Sequence, residues 1–244
     1  MGIIEKLTVK PFSVIGHRGA AGRAPENTLK SVNYAINVGV DIVEVDVRAT
    51  KRGDLVVFHD PDFKRLVGVD VSVRSVDYEW IKNNILISGE SVPLLEEVLG
   101  VVRGRVGLFI EIKEPDTTTR VLELVKSYGV IDQVAIISFY DEALVTAKRV
   151  EPRVVTGLIY AQPPGRVLDA VRIGAKIVLP HYKIISEKST NFAHKYDLKV
   201  VTWTINSRDD ALRALKVGVD GIATDLPDEL VKFRSELKHK SSRV

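Results

Sequence analysis

The chain has 244 residues, of which 45% are hydrophobic and 27% are charged. These proportions are typical of a globular protein with one large apolar core, and they exclude a disordered chain, a collagen and a coiled coil. Because the sequence contains no cysteine, disulfide bonds, a thiolate nucleophile, an iron–sulfur cluster and a zinc site with cysteine ligands are excluded. Any metal ion must be bound through oxygen or imidazole ligands.

The net charge of +3 is concentrated at the carboxyl end of the chain. Residues 231–244 form a basic tail in which one acid, Glu236, is outnumbered by Lys232, Arg234, Lys238, Lys240 and Arg243. Such a segment could contact nucleic acid or an anionic membrane. The simpler interpretation is a solvated helix end, and we expect no nucleic-acid partner.

The amino-terminal sequence has neither the apolar stretch of a signal peptide nor a myristoylation motif. No run approaches the roughly 18 apolar residues that a membrane span requires. We therefore expect a cytoplasmic protein without a membrane span. The sequence does not indicate an oligomeric state.

Short β-branched runs alternate with amphipathic stretches along the chain, a pattern that predicts an α/β fold of repeated βα units. The predicted strands are residues 12–16, 41–47, 106–112, 134–138, 154–158, 175–179, 199–204 and 221–224. Helical spacing separates them, and Gly39 and Gly129 are expected to end two of the helices. Eight such units predict a single (β/α)8 TIM barrel over residues 1–244, since an open doubly wound sheet usually has about five or six strands.

One segment between the second and third predicted strands departs from this period. A strand-like run, LVVFH, is followed by polar and mixed sequence until the next helix begins near Pro93. We predict a small insertion at about residues 61–93, after the second βα region, on one rim of the barrel.

Three predicted strands end in charged residues, and the active site of a (β/α)8 barrel lies where its strands reach their carboxyl ends. The charged residues are His17 and Arg18 in the first strand, Glu44 and Asp46 in the second, and Glu111 and Lys113 in the third. Because side chains two residues apart point to the same side of a strand, all of them could converge inside the barrel.

The acids of the second and third strands lie in apolar runs, where an isolated buried carboxylate is very costly. Glu44, Asp46 and Glu111 would offer three oxygen ligands to one divalent cation, a set that suits magnesium or calcium better than zinc. The alternative is internal salt bridges to the nearby bases Arg18, Arg48 and Lys113. We favour the metal site because three acids exceed what these bases alone could neutralise.

Two of the five histidines are candidates for acid/base catalysis. His17, in GHRG, and His59, in FHDP, end strand-like runs, and two imidazoles at a barrel rim could activate a nucleophile and protonate a leaving oxygen. A lone histidine is more often structural, but the neighbouring Arg18 and the acids favour a catalytic role. The other histidines are a weaker candidate at a strand end, His181, and two that we expect to face solvent, His194 and His239.

The two bases among these residues indicate an anionic substrate. Arginine binds phosphate or carboxylate through two parallel hydrogen bonds, and lysine supplies a compact positive charge, so Arg18 and Lys113 favour phosphoester cleavage over carbon–carbon bond chemistry. A lyase or isomerase for a phosphorylated sugar would have a glycine-rich loop after strand seven or eight, whereas these loops read TINSRDD and TDLPDEL. A non-catalytic module that binds anionic lipid or nucleic acid through the basic tail is the second alternative.

Several motifs follow one another in a recognisable order: HRG, PENT, ExD, HDP, SVPLLEEVL, IEIK, VTWTIN and GIATDLPDEL. Together they closely resemble the signature of the glycerophosphodiester phosphodiesterases over about residues 12–230. The resemblance implies a (β/α)8 barrel that binds one divalent cation, Mg²⁺ or Ca²⁺. It also implies hydrolysis of a small-molecule glycerophosphodiester to glycerol 3-phosphate and an alcohol.

The resemblance assigns roles by matching position. The implied metal ligands are Glu44, Asp46 and Glu111, and the implied general acid and base are His17 and His59. The residues implied to contact or support the substrate are Arg18, Lys113, Trp203 and Asn27. Two of these have a structural alternative, since Asn27 could cap the first helix and Trp203 could belong to the core.

We expect one histidine to accept the proton of the glycerol 2-hydroxyl as this oxygen attacks phosphorus, while the other protonates the departing alcohol. Water would then open the resulting cyclic phosphate; direct attack by water is the alternative. The sequence does not distinguish the base from the acid, or Mg²⁺ from Ca²⁺. It also leaves open whether the alcohol belongs to a small glycerophosphodiester or to a lysophospholipid.

Overall fold

The computed structural model describes residues 1–241. Its strands are β1 (Ser13–Gly16), β2 (Ile42–Ala49), β3 (Leu55–Val57), β4 (Leu86–Ile87), β5 (Glu90–Ser91), β6 (Gly107–Ile112), β7 (Val134–Ser138), β8 (Val155–Tyr160), β9 (Ile177–Pro180), β10 (Lys199–Thr202) and β11 (Gly221–Thr224). Its α-helices are α1 (Ile3–Lys6), α2 (Leu29–Val38), α3 (Lys64–Val67), α4 (Tyr78–Asn84), α5 (Leu95–Val102), α6 (Thr118–Ser127), α7 (Asp141–Val150), α8 (Val167–Arg172), α9 (Glu187–His194), α10 (Arg208–Lys216) and α11 (Pro227–Ser241).

Eight parallel strands close into a barrel because β1 pairs with β11 on one side and with β2 on the other. The remaining pairs run in chain order from β2 through β6 to β11. These strands read as nearly continuous apolar runs because the sheet is buried on both faces. The predicted TIM barrel is confirmed, and all eight predicted strands are present; the seventh ends at Thr202, two residues earlier than predicted.

Two apolar clusters lie on the two sides of the barrel wall. The larger fills the space between the strands and the surrounding helices. The smaller lies inside the barrel and includes Ile15, Ile42, Phe109 and Val201. Ile3 of α1 belongs to this inner cluster and packs beside Gly107, where β6 begins, so α1 covers the amino-terminal end of the barrel.

The first helix of the barrel shows how local signals set an element's limits. Thr28 precedes α2, and its side chain accepts a hydrogen bond from the backbone N–H of Ser31, which satisfies a free helix donor. Gly39 ends the helix in the left-handed conformation, with φ of 87°. The alternative that Asn27 caps this helix is therefore wrong, because the capping side chain is one residue later.

The insertion leaves the barrel after β2 and returns to it at α5. β3 pairs antiparallel with the end of β2, and the β4–β5 hairpin precedes α5. Between them, α3 and α4 enclose a small apolar cluster that includes Phe58, Phe63 and Ile81. The segment thus has its own core on the rim that carries the carboxyl ends of the strands. The interpretation of the whole chain as one domain stays a prediction.

The basic segment at residues 231–241 is the end of α11, not a free tail. Arg234 is only 8% exposed and pairs with the carboxylate of Asp41, and Phe233 packs in the outer core. The expectation that this segment is solvated is therefore wrong for Arg234, because the helix turns this side chain towards the barrel. Arg243 lies outside the described residues. Within those residues, each helix is too short or too polar to cross a lipid bilayer.

The outer apolar cluster predicts which leucines maintain stability. Replacing the fully buried Leu144 of α7 with alanine should lower the free energy of unfolding by about 2–5 kcal/mol, because the substitution leaves a cavity. The same change at Leu168 of α8, which is 54% exposed, should alter it by less than about 0.5 kcal/mol. Denaturant unfolding of the two variants measures the difference. Equal losses would show that α7 does not pack as described.

Candidate active site

Charged side chains gather at the carboxyl end of the barrel because they continue the inward-facing rows of the strands. In β2 the row runs from Ile42 to Glu44 and Asp46, and in β6 it runs from Phe109 to Glu111. The register places Asp46 directly beside Glu111. The predicted convergence of these side chains inside the barrel is thus present.

The three acids form one buried cluster. Glu44, Asp46 and Glu111 are 4%, 1% and 8% exposed, and one oxygen atom from each lies within 4.8 Å of the others. Burial, followed by the charge of Asp46, raises the pKa of Glu44 to about 8. Burial also raises the pKa of Glu111 to about 7, against the opposing effect of Lys113. The cluster therefore holds more negative charge than its surroundings stabilise.

Two bases compensate part of this charge. Lys113 Nζ lies 2.9 Å from Asp46 Oδ1 and 2.5 Å from Glu111 Oε1. Although burial opposes ionisation, Lys113 and then Arg18 hold the pKa of Asp46 far below its usual range. The salt bridges that we considered as an alternative are thus partly present. Arg48 does not take part, because its guanidinium pairs with Glu114.

A divalent cation fits the remaining charge. Three carboxylates face two bases, and Glu44 Oε1 is buried without a hydrogen-bond partner in the part of the chain that the structure describes. A buried carboxylate oxygen of this kind is costly unless a cation or a donor contacts it. The residues therefore fit an oxygen-coordinated metal ion such as Mg²⁺ or Ca²⁺.

The loop after β1 holds Arg18 between the acidic cluster and a further carboxylate. Its backbone N–H donates to Glu44 Oε2 at 2.7 Å, and its Nη1 donates to Glu26 Oε1 at 2.7 Å. Arg18 adopts a left-handed φ of 49°, which is uncommon for a residue with a side chain and occurs most often at functional sites. Arg18 Nε is buried without a hydrogen-bond partner among residues 1–241, although it lies 3.4 Å from Asp46 Oδ2 in an ion pair.

His17 is fixed by a carboxylate from the opposite end of the chain. Its Nδ1 lies 2.7 Å from Asp225 Oδ1, and Asp225 Oδ2 accepts a hydrogen bond from Asn206 at 2.7 Å. Burial disfavours the charged imidazole, but the bond to Asp225 and the charge of Glu44 outweigh it and raise the pKa of His17. Asp225 thus sets both the orientation and the charge of this ring.

His59 has a similar partner and the opposite pKa shift. Its Nδ1 lies 2.7 Å from Asp60 Oδ1. Burial lowers the pKa of His59, and Lys113 adds to this effect, although the charge of Asp46 opposes it. The site therefore combines one imidazole that favours the charged form with one that favours the neutral form, each with its Nδ1 held by a carboxylate.

Asn27 supports the acidic cluster from a buried position. Its Nδ2 donates to Asp46 Oδ2 at 2.8 Å, and its Oδ1 accepts from the backbone N–H of Asp46 at 3.1 Å. These paired bonds hold one cluster carboxylate in a single orientation. The structure therefore places Asn27 beside the implied metal ligands, and its contact with substrate stays a prediction.

Trp203 lies on the rim, half-buried among aromatic side chains. Its Nε1 donates to the backbone oxygen of Leu179 at 2.8 Å. Its ring meets Phe139 edge to face at 5.7 Å between centroids and His181 at 5.1 Å. The ring packs on the inner apolar cluster, which supports the core role. It also lies beside the partly exposed Phe139, which supports the rim role.

His194 is exposed, as expected, and its Nε2 also lies 2.9 Å from Asp220 Oδ2. Asp220 comes just before β11, at the amino-terminal end of the barrel, so this pair is remote from the site. His239 is exposed, as expected.

Four residues at the site were missed from the sequence: Glu26, Asp60, Arg65 and Asp225. Local signals were present for three of them, since Glu26 belongs to the PENT motif, Asp60 follows His59 directly and Asp225 belongs to the GIATDLPDEL motif. Asp225 lies 208 residues from His17, and no local pattern joins two positions so far apart. Arg65 lies in the insertion, whose path the sequence did not predict.

Comparison with known proteins gives a consistent result. The model of the glycerophosphoryl diester phosphodiesterase family matches residues 17–229. A glycerophosphodiester phosphodiesterase from Caldanaerobacter subterraneus is 32% identical, covering 90% of this chain and 96% of its own length. One from Bacillus altitudinis is 30% identical, covering 92% and 99%. An Oleispira antarctica phosphodiesterase, solved with the product sn-glycerol-3-phosphate, has a TM-score of 0.85 at 26% identity and covers 92% and 96%.

The contact between His17 and Asp225 predicts a pKa change. Replacing Asp225 with asparagine keeps an oxygen near the ring but removes the negative charge, so the pKa of His17 should fall. An NMR titration of the imidazole protons measures the shift. Asp228→Asn is the control, because Asp228 pairs with Arg23 at the surface. An unchanged pKa of His17 in Asp225→Asn would contradict the described contact.

Proposed function

Because the chain belongs to the glycerophosphoryl diester phosphodiesterase family, whose named relatives are hydrolases, we propose that it converts glycerophosphodiesters to glycerol 3-phosphate and an alcohol. His17 and His59 act as the acid/base pair, with one divalent cation at the acidic cluster. The observation that carries this proposal is the pair of carboxylate-held imidazoles whose pKa values are shifted in opposite directions. The negative charge of that cluster acts on both rings, through Glu44 on His17 and through Asp46 on His59.

Glu44, Asp46 and Glu111 would hold the cation, with Asn27 keeping Asp46 in place. When bound there, a divalent cation supplies positive charge that polarises a phosphoryl oxygen and lowers the pKa of a coordinated hydroxyl group. Both Mg²⁺ and Ca²⁺ take carboxylate oxygen ligands, so the cluster fits either ion.

Arg18 and Lys113 bind and orient the phosphate. Arg18 Nε, which has no hydrogen-bond partner in the described residues and lies 3.4 Å from Asp46 Oδ2, and the ammonium group of Lys113 lie beside the cluster, where they would face a bound phosphodiester. Charge-assisted hydrogen bonds from these bases are short and strong. They also stabilise the negative charge that spreads over the phosphoryl oxygens in the transition state.

The two histidines move the protons. One imidazole accepts the proton of the glycerol 2-hydroxyl as this oxygen attacks phosphorus, and the other gives a proton to the alcohol oxygen as its bond to phosphorus breaks. Water then opens the cyclic phosphate with the roles exchanged. The first step requires one ring that can donate a proton and one that can accept one, and the raised pKa of His17 and the lowered pKa of His59 favour this division. Isolation of the cyclic phosphate would distinguish this route from direct attack by water.

The two alternative functions are not supported. Family membership favours phosphodiester hydrolysis over a sugar-phosphate lyase or isomerase. The basic segment that a nucleic-acid or lipid-binding module would use is largely part of α11, with Arg234 buried. The partly exposed Phe139 packs against Trp203 at the rim, which supports a contact of these rings with the alcohol. An assay with glycerophosphocholine, glycerophosphoglycerol and a lysophospholipid would identify that alcohol. A cytoplasmic location stays a prediction.

Histidine substitutions test the acid/base assignment. His17→Ala and His59→Ala should each lower kcat by about 100- to 10,000-fold, because each removes one proton-transfer group. Release of glycerol 3-phosphate from glycerophosphocholine gives the rate. His239→Ala is the matched control, since His239 is exposed on α11, and it should retain wild-type kcat. Near-normal turnover by both site variants would refute the assignment.

Removal of the metal tests the acidic cluster. Chelation should abolish turnover, and adding Mg²⁺ or Ca²⁺ should restore it. The activating ion should also stabilise the wild-type protein by about 2.7 kcal/mol at 100 times its Kd, which a thermal melt measures without substrate. Glu44→Gln should lose this stabilisation, whereas Glu123→Gln, an exposed change on α6, should keep it. Full activity after chelation and no thermal shift with either ion would show that the cluster binds no metal.

A further inference from the structure

Arg65 of the insertion contacts two carboxylates at once. Its Nη1 and Nη2 donate to the two oxygens of Glu26 at 3.1 and 2.5 Å. Its Nε donates to Asp60 Oδ2 at 2.5 Å. Glu26 and Asp60 lie on different segments, one before α2 and one after β3, so a single guanidinium joins two loops of the site.

Each of these carboxylates uses its remaining contact to hold a residue of the proposed reaction. Glu26 Oε1 accepts from Arg18 Nη1 at 2.7 Å, and Asp60 Oδ1 lies 2.7 Å from His59 Nδ1. A continuous series of charged contacts therefore runs from the phosphate-binding base to the catalytic imidazole. We call this series the Arg65 bridge; its members are Arg18, Glu26, Arg65, Asp60 and His59.

We propose that Arg65 is a positioning residue that holds Arg18 and His59 at a fixed separation through Glu26 and Asp60. This inference rests on the proposed function, in which both residues act on the same phosphodiester. Its guanidinium pairs with Glu26 and Asp60, so it acts through these two carboxylates. It acts by aligning the group that binds the phosphate with the group that moves the proton.

The geometry requires arginine at this position. A guanidinium presents several donors in one rigid plane, so it can bind both oxygens of Glu26 and still reach Asp60. A lysine ammonium is a single point of charge and could not keep this arrangement. The two carboxylates are largely buried, at 13% and 16% side-chain exposure. Arg65 itself is 47% exposed, so its ion pairs should contribute little to folding stability.

Removal of Arg65 should disturb both ends of the bridge. Glu26 would then be paired with Arg18 alone, and it would compete with the substrate phosphate for that guanidinium. Asp60 would be paired with His59 alone, and its second oxygen would no longer be anchored. The first effect raises KM and the second lowers kcat, since small displacements of aligned groups reduce rates strongly.

The test compares Arg65→Ala, Arg65→Lys and the neighbouring Lys64→Ala. Lys64 is the matched control because its ammonium group pairs with the exposed Asp70, at 3.0 Å, and not with a member of the bridge among the described residues. Arg65→Ala should lower kcat by about 10- to 100-fold and raise KM for glycerophosphocholine. Arg65→Lys should give an intermediate loss. All three variants should keep the wild-type melting temperature within a few degrees, so that a folding defect is detected separately.

An NMR titration of His59 gives a readout that does not depend on turnover. The charged groups that act on this ring are Asp46, Lys113, Arg18 and Asp60, and all of them remain in the variants. In Arg65→Ala the charge of Asp60 is no longer shared with a cation, so the pKa of His59 should rise. Lys64→Ala should leave it unchanged.

The outcomes separate this inference from the proposed function. If the wild-type protein hydrolyses none of the glycerophosphodiesters, the proposed function is wrong, and the His59 titration still decides whether the bridge exists. An unchanged or lower pKa of His59 in Arg65→Ala would overturn the bridge. Wild-type kcat and KM in both Arg65 variants of an active enzyme would overturn its role in positioning.

Discussion

The whole site depends on the two-residue alternation of side chains in a closed barrel. Each strand directs every second residue inwards, and the lower part of that interior is filled by residues such as Ile15, Ile42 and Phe109. An apolar layer of this kind does not stabilise a negative charge, so the acids of these rows lie beyond it, towards the carboxyl ends of the strands. His17, Glu44 and Glu111 occupy those positions because they continue the same rows. Strand register therefore sets the geometry of the site.

The cost of removing these charged groups from water then determines which residues must lie beside them. Carboxylates that are almost fully buried need compensating positive charge. Lys113 and Arg18 supply part of this charge through their ion pairs with Asp46. The raised pKa of Glu44 and its unpartnered oxygen show that the compensation is incomplete. An incompletely compensated cluster is less favourable for folding, but its excess negative charge would attract a divalent cation. The same imbalance that lowers stability would thus favour metal binding at the proposed site.

The sequence was most informative where the signal is local. Apolar runs between turn residues predicted all eight barrel strands, and their charged ends predicted the acidic cluster and both histidines. Contacts between distant segments could not be predicted, because local periodicity carries no information about partners. Asp225 needs closure of the barrel to reach His17, and Arg234 needs the packing of α11 against β1 to reach Asp41. The mixed composition of the insertion concealed its small core and the position of Arg65.

The site consequently has two layers of different origin. Barrel strands supply the inner layer, Glu44, Asp46 and Glu111, whose positions the backbone hydrogen bonds of the sheet define. Loops and the insertion supply the outer layer, in which Glu26, Asp60 and Arg65 hold Arg18 and His59. Ion pairs to a half-exposed arginine contribute little to stability, so folding alone gives no reason to join two separate segments in one series of contacts. The alignment of Arg18 with His59 that we propose does give such a reason, and it accounts for the contact of Arg65, in the insertion, with the loop that carries Glu26.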